Sequence, residues 1–176
     1  MKYKDNFFNT RILNNNLNIR IRRNNKFGLK SVKQTNKMSG AEAFMGSWRE
    51  EEKEGYEAMV TALGLPEEKK EFFKNARTEI TYRRDGDVWE INVGMQGAPQ
   101  TRTFRFKPGE QYELASLDCS PMKSVVTVDG DKLQEKHIDD NLHGMDMNIT
   151  RYIDGGKMIV ETHVGELRMR SIYARI

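Results

Sequence analysis

From Glu79 to its C-terminus the chain is cut at short intervals by glycine-bearing turns. Asp85-Gly86, Pro108-Gly109, Asp129-Gly130, Asp154-Gly155-Gly156 and Gly165 punctuate runs rich in Val, Ile, Thr, Tyr and Phe. Asp-Gly between alternating runs is a strong hairpin signal, because a tight turn with positive φ matches the twist of the strands it joins. The runs Glu79–Arg84, Asp87–Val93, Thr101–Lys107, Glu110–Ala115, Lys123–Val128, Lys132–Ile138, Met145–Ile153, Lys157–Val164 and Leu167–Tyr173 read as strands, preceded by one more at Gly46–Glu54. About ten strands joined by tight turns predict an antiparallel sheet, closed into a barrel or folded into a sandwich.

Two helices interrupt the pattern after its first strand. Tyr56, Met59, Val60 and Leu63 recur at helical spacing, and Gly64-Leu65-Pro66 stops the run. Pro66 suits the first position of a second helix, Glu67–Asn75, whose acidic first turn and Lys74 complement the macrodipole. Neither helix is long enough to stand alone, so the pair must pack on the sheet. The preceding run Arg49–Glu54 is expected to be a solvated outer face.

Strand alternation gives the first functional clue. Met147, Ile149, Arg151 and Ile153 share one face of their strand, and Leu167, Met169, Ser171 and Tyr173 share one of theirs. A guanidinium in phase with an apolar face needs an anion, since an unpaired buried charge is costly. Either a buried Asp or Glu supplies it, or a ligand does; a carboxylate fits the guanidinium fork with two parallel hydrogen bonds. The methionines in and beside the strands suit an adaptable apolar cavity and equally an ordinary core.

Charge is unevenly distributed. Residues 1–37 hold ten Lys or Arg against Asp5 alone, so a chain of net charge +3 leaves −6 on residues 38–176. The Asn-rich arm has no regular period and reads as a disordered extension ahead of a globular domain spanning 38–176. Three readings of it stand open: upstream coding sequence before a start at Met38, a mitochondrial presequence, or an arm touching nucleic acid or anionic membrane. The globular part has no basic stripe with interleaved aromatics, so no nucleic-acid partner is expected for it. A single cysteine, Cys119, excludes an intrachain disulfide and fits a reducing compartment. No apolar run reaches membrane-spanning length.

Taken in order, Phe44-x-Gly46-x-Trp48, Gly55-Tyr56-Glu57, Ala62-Leu63-Gly64, Asp85-Gly86-Asp87, Phe106-Lys107-x-Gly109-Glu110, the run from Met122 to Leu133, Arg151 and Ile172-Tyr173 resemble the intracellular lipid-binding protein family. That family includes the cytosolic fatty-acid-binding and cellular retinoid-binding proteins. The match covers roughly residues 40–176. The resemblance implies a mainly β fold, a ten-stranded antiparallel up-and-down barrel, or β-clam, with a two-helix lid between its first two strands. It also implies a monomeric, cytoplasmic, non-enzymatic carrier of a long-chain fatty acid, with no cofactor or metal. The nucleus is a further compartment open to such a carrier, and the mitochondrion is the alternative if residues 1–37 are a presequence. A retinoid or another hydrophobic acid is the alternative ligand.

By the same resemblance Arg151 and Tyr173 fall on two positions that hold the ligand carboxylate. Ser171 occupies the place of a second arginine, which leaves one cation where many relatives carry two. Tyr56 and Val60 fall on the lid against the ligand tail, and Ile149 and Met169 line the wall. Lys69, Lys70, Lys74 and Arg77 give the lid a basic side for transient membrane contact. Glu50 departs from a usually apolar position, and the segments Asn92–Thr103 and Asp139–Gly144 are longer than in relatives. Catalysis has little support: His137, His143 and His163 are scattered without metal-ligand spacing, and Ser171 with His163 lacks a third group and an oxyanion hole.

Overall fold

In the computed structural model a 3₁₀ turn, Gly40–Phe44, leads into β1 (Gly46–Glu54), α1 (Tyr56–Ala62), α2 (Glu67–Asn75) and then nine strands. These are β2 (Thr78–Asp85), β3 (Val88–Met95), β4 (Thr101–Phe106), β5 (Gln111–Ala115), β6 (Pro121–Asp129), β7 (Lys132–Asp139), β8 (Asp146–Asp154), β9 (Lys157–Val164) and β10 (Leu167–Arg175). The structure describes residues 40–115, 121–139, 142 and 144–176. The extension expected over 1–37, Cys119 and His143 lie outside the described residues.

All ten strands form one antiparallel sheet in the order β4-β3-β2-β1-β10-β9-β8-β7-β6-β5. Every neighbour pair is consecutive in sequence except β1 with β10, which closes the first strand onto the last. The result is a mainly β, nearly closed up-and-down barrel with the two helices between β1 and β2, as the hairpin spacing and the resemblance predict. The ends of the order, β4 and β5, face each other across a seam. There Arg102 Nη1 donates to the Ala115 carbonyl at 2.9 Å, and the rings of Phe106 and Tyr112 stack 5.3 Å apart.

The core is built from alternate strand residues. Trp48, Ile80, Tyr82, Trp89, Ile91, Phe106, Val126, Leu133, Met158, Val160 and Tyr173 are buried in one cluster with Phe44. The indole Nε1 of Trp48 donates to the Phe44 carbonyl at 2.7 Å and fixes the 3₁₀ turn beneath the barrel. Aromatic rings then continue from Phe44 through Tyr82, Trp89 and Phe106 to Tyr112, each neighbouring pair 5.3–6.4 Å apart. Edge and offset contacts of this kind stabilise beyond the area they bury.

The run Arg49–Glu54 is only in part the solvated face expected of it: Glu51, Glu52 and Glu54 are exposed, but Glu50 and Lys53 are not. The side chain of Glu50 is only 4% exposed and that of Lys53 12%, and they pair at 3.0 Å. Glu50 is in phase with buried Trp48, and a bulge between Glu50 and Glu52, opposite Tyr173 and Ile172, shifts the phase of β1 so that Lys53 returns to the same side. Lys53 Nζ also donates to the carbonyls of Phe73 (2.7 Å) and Ala76 (3.0 Å), binding the C-terminal end of α2 to the barrel. Gly55 makes the turn into α1 with φ 73°, and a Cβ there would run into the Arg168 carbonyl of β10.

Candidate functional site

β7 and β8 pair in uninterrupted register, with Leu133 opposite Arg151 and Glu135 opposite Ile149. Alternation then puts Leu133, Glu135 and His137 on the inner face of β7, all buried. Arg151 reaches diagonally across the ladder to Glu135: Nε donates to Oε1, and Nη2 donates to Oε2 at 3.3 Å. Of the two sources of an anion that the sequence left open for Arg151, the protein's own carboxylate is present. The arginine side chain is 12% exposed and the glutamate 4%.

The pair extends further. His137 Nε2 lies 3.1 Å from Glu135 Oε2, and its Nδ1 lies 2.6 Å from Ser124 Oγ on β6. Tyr112 on β5 stands opposite Ser124 in the β5–β6 register. Arg151, Glu135, His137, Ser124 and Tyr112 therefore form one polar line across four adjacent strands. Burial alone would push the Glu135 carboxyl up. The charge of Arg151 and the hydrogen bonds from His137 and Arg151 outweigh it and hold the carboxyl at about 2. Burial likewise works against the Arg151 charge, but Glu135 more than compensates and raises its pKa.

Three phenols surround this centre. Tyr82 on β2, Tyr112 and Tyr173 on β10 are all pushed up by burial, so they remain neutral donors. Tyr82 and Tyr173 lie within electrostatic reach of both Arg151 and Glu135. The Tyr82 hydroxyl is buried without a hydrogen-bond partner among the described residues. A buried polar atom left unpaired is uncommon and marks a point where a bound group has something to gain.

The remaining residues that the sequence singled out are placed as follows. Ser171 is buried on the inner face of β10, two residues before Tyr173, and the unbroken β10–β9 register leaves Arg170 in the opposite phase. Ile149 packs on the core cluster, and Met169 is half-buried on the same face as Ser171. Val60 is buried beneath α1 with Met59. Tyr56 is directed along the lid: its hydroxyl donates to the Lys70 carbonyl of α2 at 2.9 Å, and Lys53 Nζ lies 5.3 Å from its ring centroid. Lys70 and Lys74 are engaged by Glu67 (3.3 Å) and Glu57 (2.6 Å), which neutralises part of the lid's basic side.

Glu135, Ser124, Tyr82 and Tyr112 were not among the residues that the sequence singled out, and His137 was weighed there only as a metal ligand. The signal was present: Leu133, Glu135 and His137 alternate in phase, so a strand with Leu133 inside also turns a glutamate and a histidine inward.

A cleft of about 640 Å³ separates α2 from the β3–β4 connection, lined in part by Phe72, Asn75, Met95 and Gly97. Phe72 is 56% exposed there.

Comparison with known proteins gives a consistent set of relatives. The chain is 28% identical over 127 residues to fatty acid-binding protein type 2 of Fasciola hepatica, covering 71% of this chain and 92% of that protein. It is 27% identical over 136 residues to fatty acid-binding protein 5 of Pygoscelis papua, covering 76% and 97%. Among solved structures, the Schistosoma mansoni fatty acid binding protein in complex with arachidonic acid superposes with a TM-score of 0.69 at 24% identity, covering 76% of this chain and 96% of that one. No family model matches the chain.

Proposed function

We propose, from the premise that this chain belongs to the intracellular lipid-binding protein family, that its barrel binds and carries a long-chain fatty acid, with the carboxylate addressed by Arg151 and Tyr173. The observation that carries the reading is a largely enclosed arginine on the inner wall, with neutral phenols around it and, among the described residues, an unpartnered buried hydroxyl, that of Tyr82. The fatty-acid-binding names of its relatives support the ligand class.

The division of labour follows from magnitudes. Burying an alkyl tail yields ~0.8 kcal/mol per methylene, from which association and cavity-water rearrangement subtract. Charge-assisted hydrogen bonds at the head add ~1.5–3 kcal/mol. The tail supplies affinity, and Arg151 with Tyr173 selects an acid over an alcohol. Ser171 offers a hydroxyl where relatives have a second cation, so the head is held by one charge and several neutral donors.

Ladders join every neighbouring strand pair except β4 and β5, and uptake is assigned to the lid side, through the cleft at α2. Lys53 is the latch on that side, because it holds the last carbonyls of α2. The exposed Lys69 leaves the lid a cation for transient contact with anionic membranes. In this reading the protein is a cytoplasmic carrier and not a catalyst.

The test is displacement of a fluorescent apolar probe from the full chain by oleate, retinoic acid and oleyl alcohol in parallel. Tight displacement by oleate with weaker displacement by the alcohol is expected. Preference for retinoic acid reassigns the ligand, and equal displacement by acid and alcohol removes the head-group role of Arg151.

A further inference from the structure

Arg151 is already balanced by Glu135, so a ligand carboxylate that reaches it brings a second buried negative charge. Such a charge is strongly unfavourable unless a positive one arrives with it. The seat for that positive charge is His137. Its Nε2 faces Glu135 Oε2 at 3.1 Å and its Nδ1 faces Ser124 Oγ at 2.6 Å, with all three side chains buried. A carboxylate only accepts, whereas a hydroxyl accepts or donates. Neutral imidazole donates from Nε2 to Glu135 and accepts from Ser124; imidazolium donates to both. Protonation of His137 therefore requires only that the Ser124 hydroxyl hydrogen turn.

The groups facing this seat leave it little competition. Arg151 comes from β8, Ser124 from β6, Tyr112 from β5, Tyr82 from β2 and Tyr173 from β10, with Glu50 of β1 beyond Tyr173. β9 presents Val160 and Thr162 on its inner side, and His163 falls in the opposite phase. Around neutral pH the phenols stay uncharged and Glu135 stays ionised. Of these groups, His137 can add a proton and still satisfy both of its neighbours, donating to Glu135 and to Ser124.

Building on the fatty-acid reading above, we propose that His137 takes up one proton for each carboxylate ligand bound. The Glu135–His137 pair then balances itself, and Arg151 is released to the ligand. The proton comes from solvent or on the fatty acid's own carboxyl, and no other bond is made or broken. Glu135 and His137 thereby act as specificity residues: uptake of an acid becomes pH-dependent, and uptake of its neutral analogue does not.

The experiment is calorimetric titration of the full chain near neutral pH in two buffers that differ in ionisation enthalpy. With oleate, proton uptake approaching one per ligand is expected, with affinity falling up to ~10-fold per pH unit on the alkaline side. With oleyl alcohol, uptake near zero is expected. His137→Gln should abolish the uptake and flatten the oleate pH profile. Glu135→Gln should bind oleate without a proton, even at alkaline pH. If Glu135→Gln fails to fold, the buffer comparison and His137→Gln decide the matter. Tight oleate binding without proton uptake, or uptake that survives His137→Gln, overturns the proposal while leaving the fatty-acid reading standing. Absence of oleate binding overturns both.

Discussion

Glu135 on β7 and Arg151 on β8 are joined at two points, with Nη2 to Oε2 at 3.3 Å, on the inner wall of the barrel beside its apolar and aromatic core cluster. Breaking a buried pair from one side leaves an uncompensated charge, whereas removing both members leaves none. Arg151→Gln and Glu135→Gln are each expected to lower unfolding free energy by ~3–5 kcal/mol, and the double variant by clearly less than the sum. Urea denaturation of the four proteins gives the coupling directly; strict additivity would show that the pair is not an energetic unit.

The pair also sets acid behaviour. The folded-state pKa of Glu135, about 2, lies below the ordinary 4.5, so its ionised form is favoured by folding. Its contribution is fully present above pH ~4.5 and is lost as pH falls toward 2. Acid unfolding of Arg151→Gln should therefore begin at higher pH than that of the wild type, monitored by Trp48 and Trp89 fluorescence. Coincident acid transitions would contradict the role of Arg151 in holding that carboxyl down.

At the alkaline limit the sign reverses. Tyr82, Tyr112 and Tyr173 have pKa values raised above 10 by burial, so folding favours their neutral forms, and stability falls as pH rises beyond the ordinary tyrosine range. Ultraviolet titration should show these three phenolates appearing only with unfolding. Reversible ionisation of all the tyrosines in the folded protein is the opposing result.

Lys53 tests the lid. Lys53→Met removes the ammonium that holds Glu50 and the carbonyls of Phe73 and Ala76. A loss of ~1.5–3 kcal/mol is expected, comparable to other charge-assisted bonds. Faster amide exchange should be concentrated in α2 and accompanied by faster ligand release. Uniform loosening of the barrel with an unaffected α2 would place the latch elsewhere.

Gly55→Ala probes the joint between lid and barrel. Positive φ and the Arg168 carbonyl leave no room for a methyl, so the substitution should cost more than ~1 kcal/mol. Thermal unfolding measures it, and an unchanged midpoint would mean that α1 can shift without penalty.

Much of the architecture was legible because turn chemistry is local. The Asp-Gly pairs located hairpins, and the strands so bounded fall within a few residues of those observed; Pro108-Gly109 marks a turn as well, but the strands it joins, β4 and β5, are not paired and form the seam. Closure of β1 onto β10 is a long-range pairing that no local pattern encodes; it came from the resemblance and stands in the register Trp48 to Arg175. The solvated reading of Arg49–Glu54 rested on its charges; Glu50 lies in phase with Trp48 at a position already noted as usually apolar, whereas the fate of Lys53 was not legible, because the β1 bulge breaks the period-two rule ahead of it. Arg151 and Tyr173 were visible as residues in phase with apolar faces. Glu135 was less so, since identifying an arginine's partner requires knowing which strand lies beside it and in what register.

The most direct measurement is the nuclear magnetic resonance of carboxyl-labelled oleate bound to the full chain, followed across pH. An acid held at Arg151 should show one bound carboxyl resonance that does not titrate through the free fatty-acid range, displaced in Arg151→Gln/Glu135→Gln. A bound carboxyl that titrates as it does in solvent, or one that is the same in the double variant, would contradict a fatty-acid head buried against this arginine.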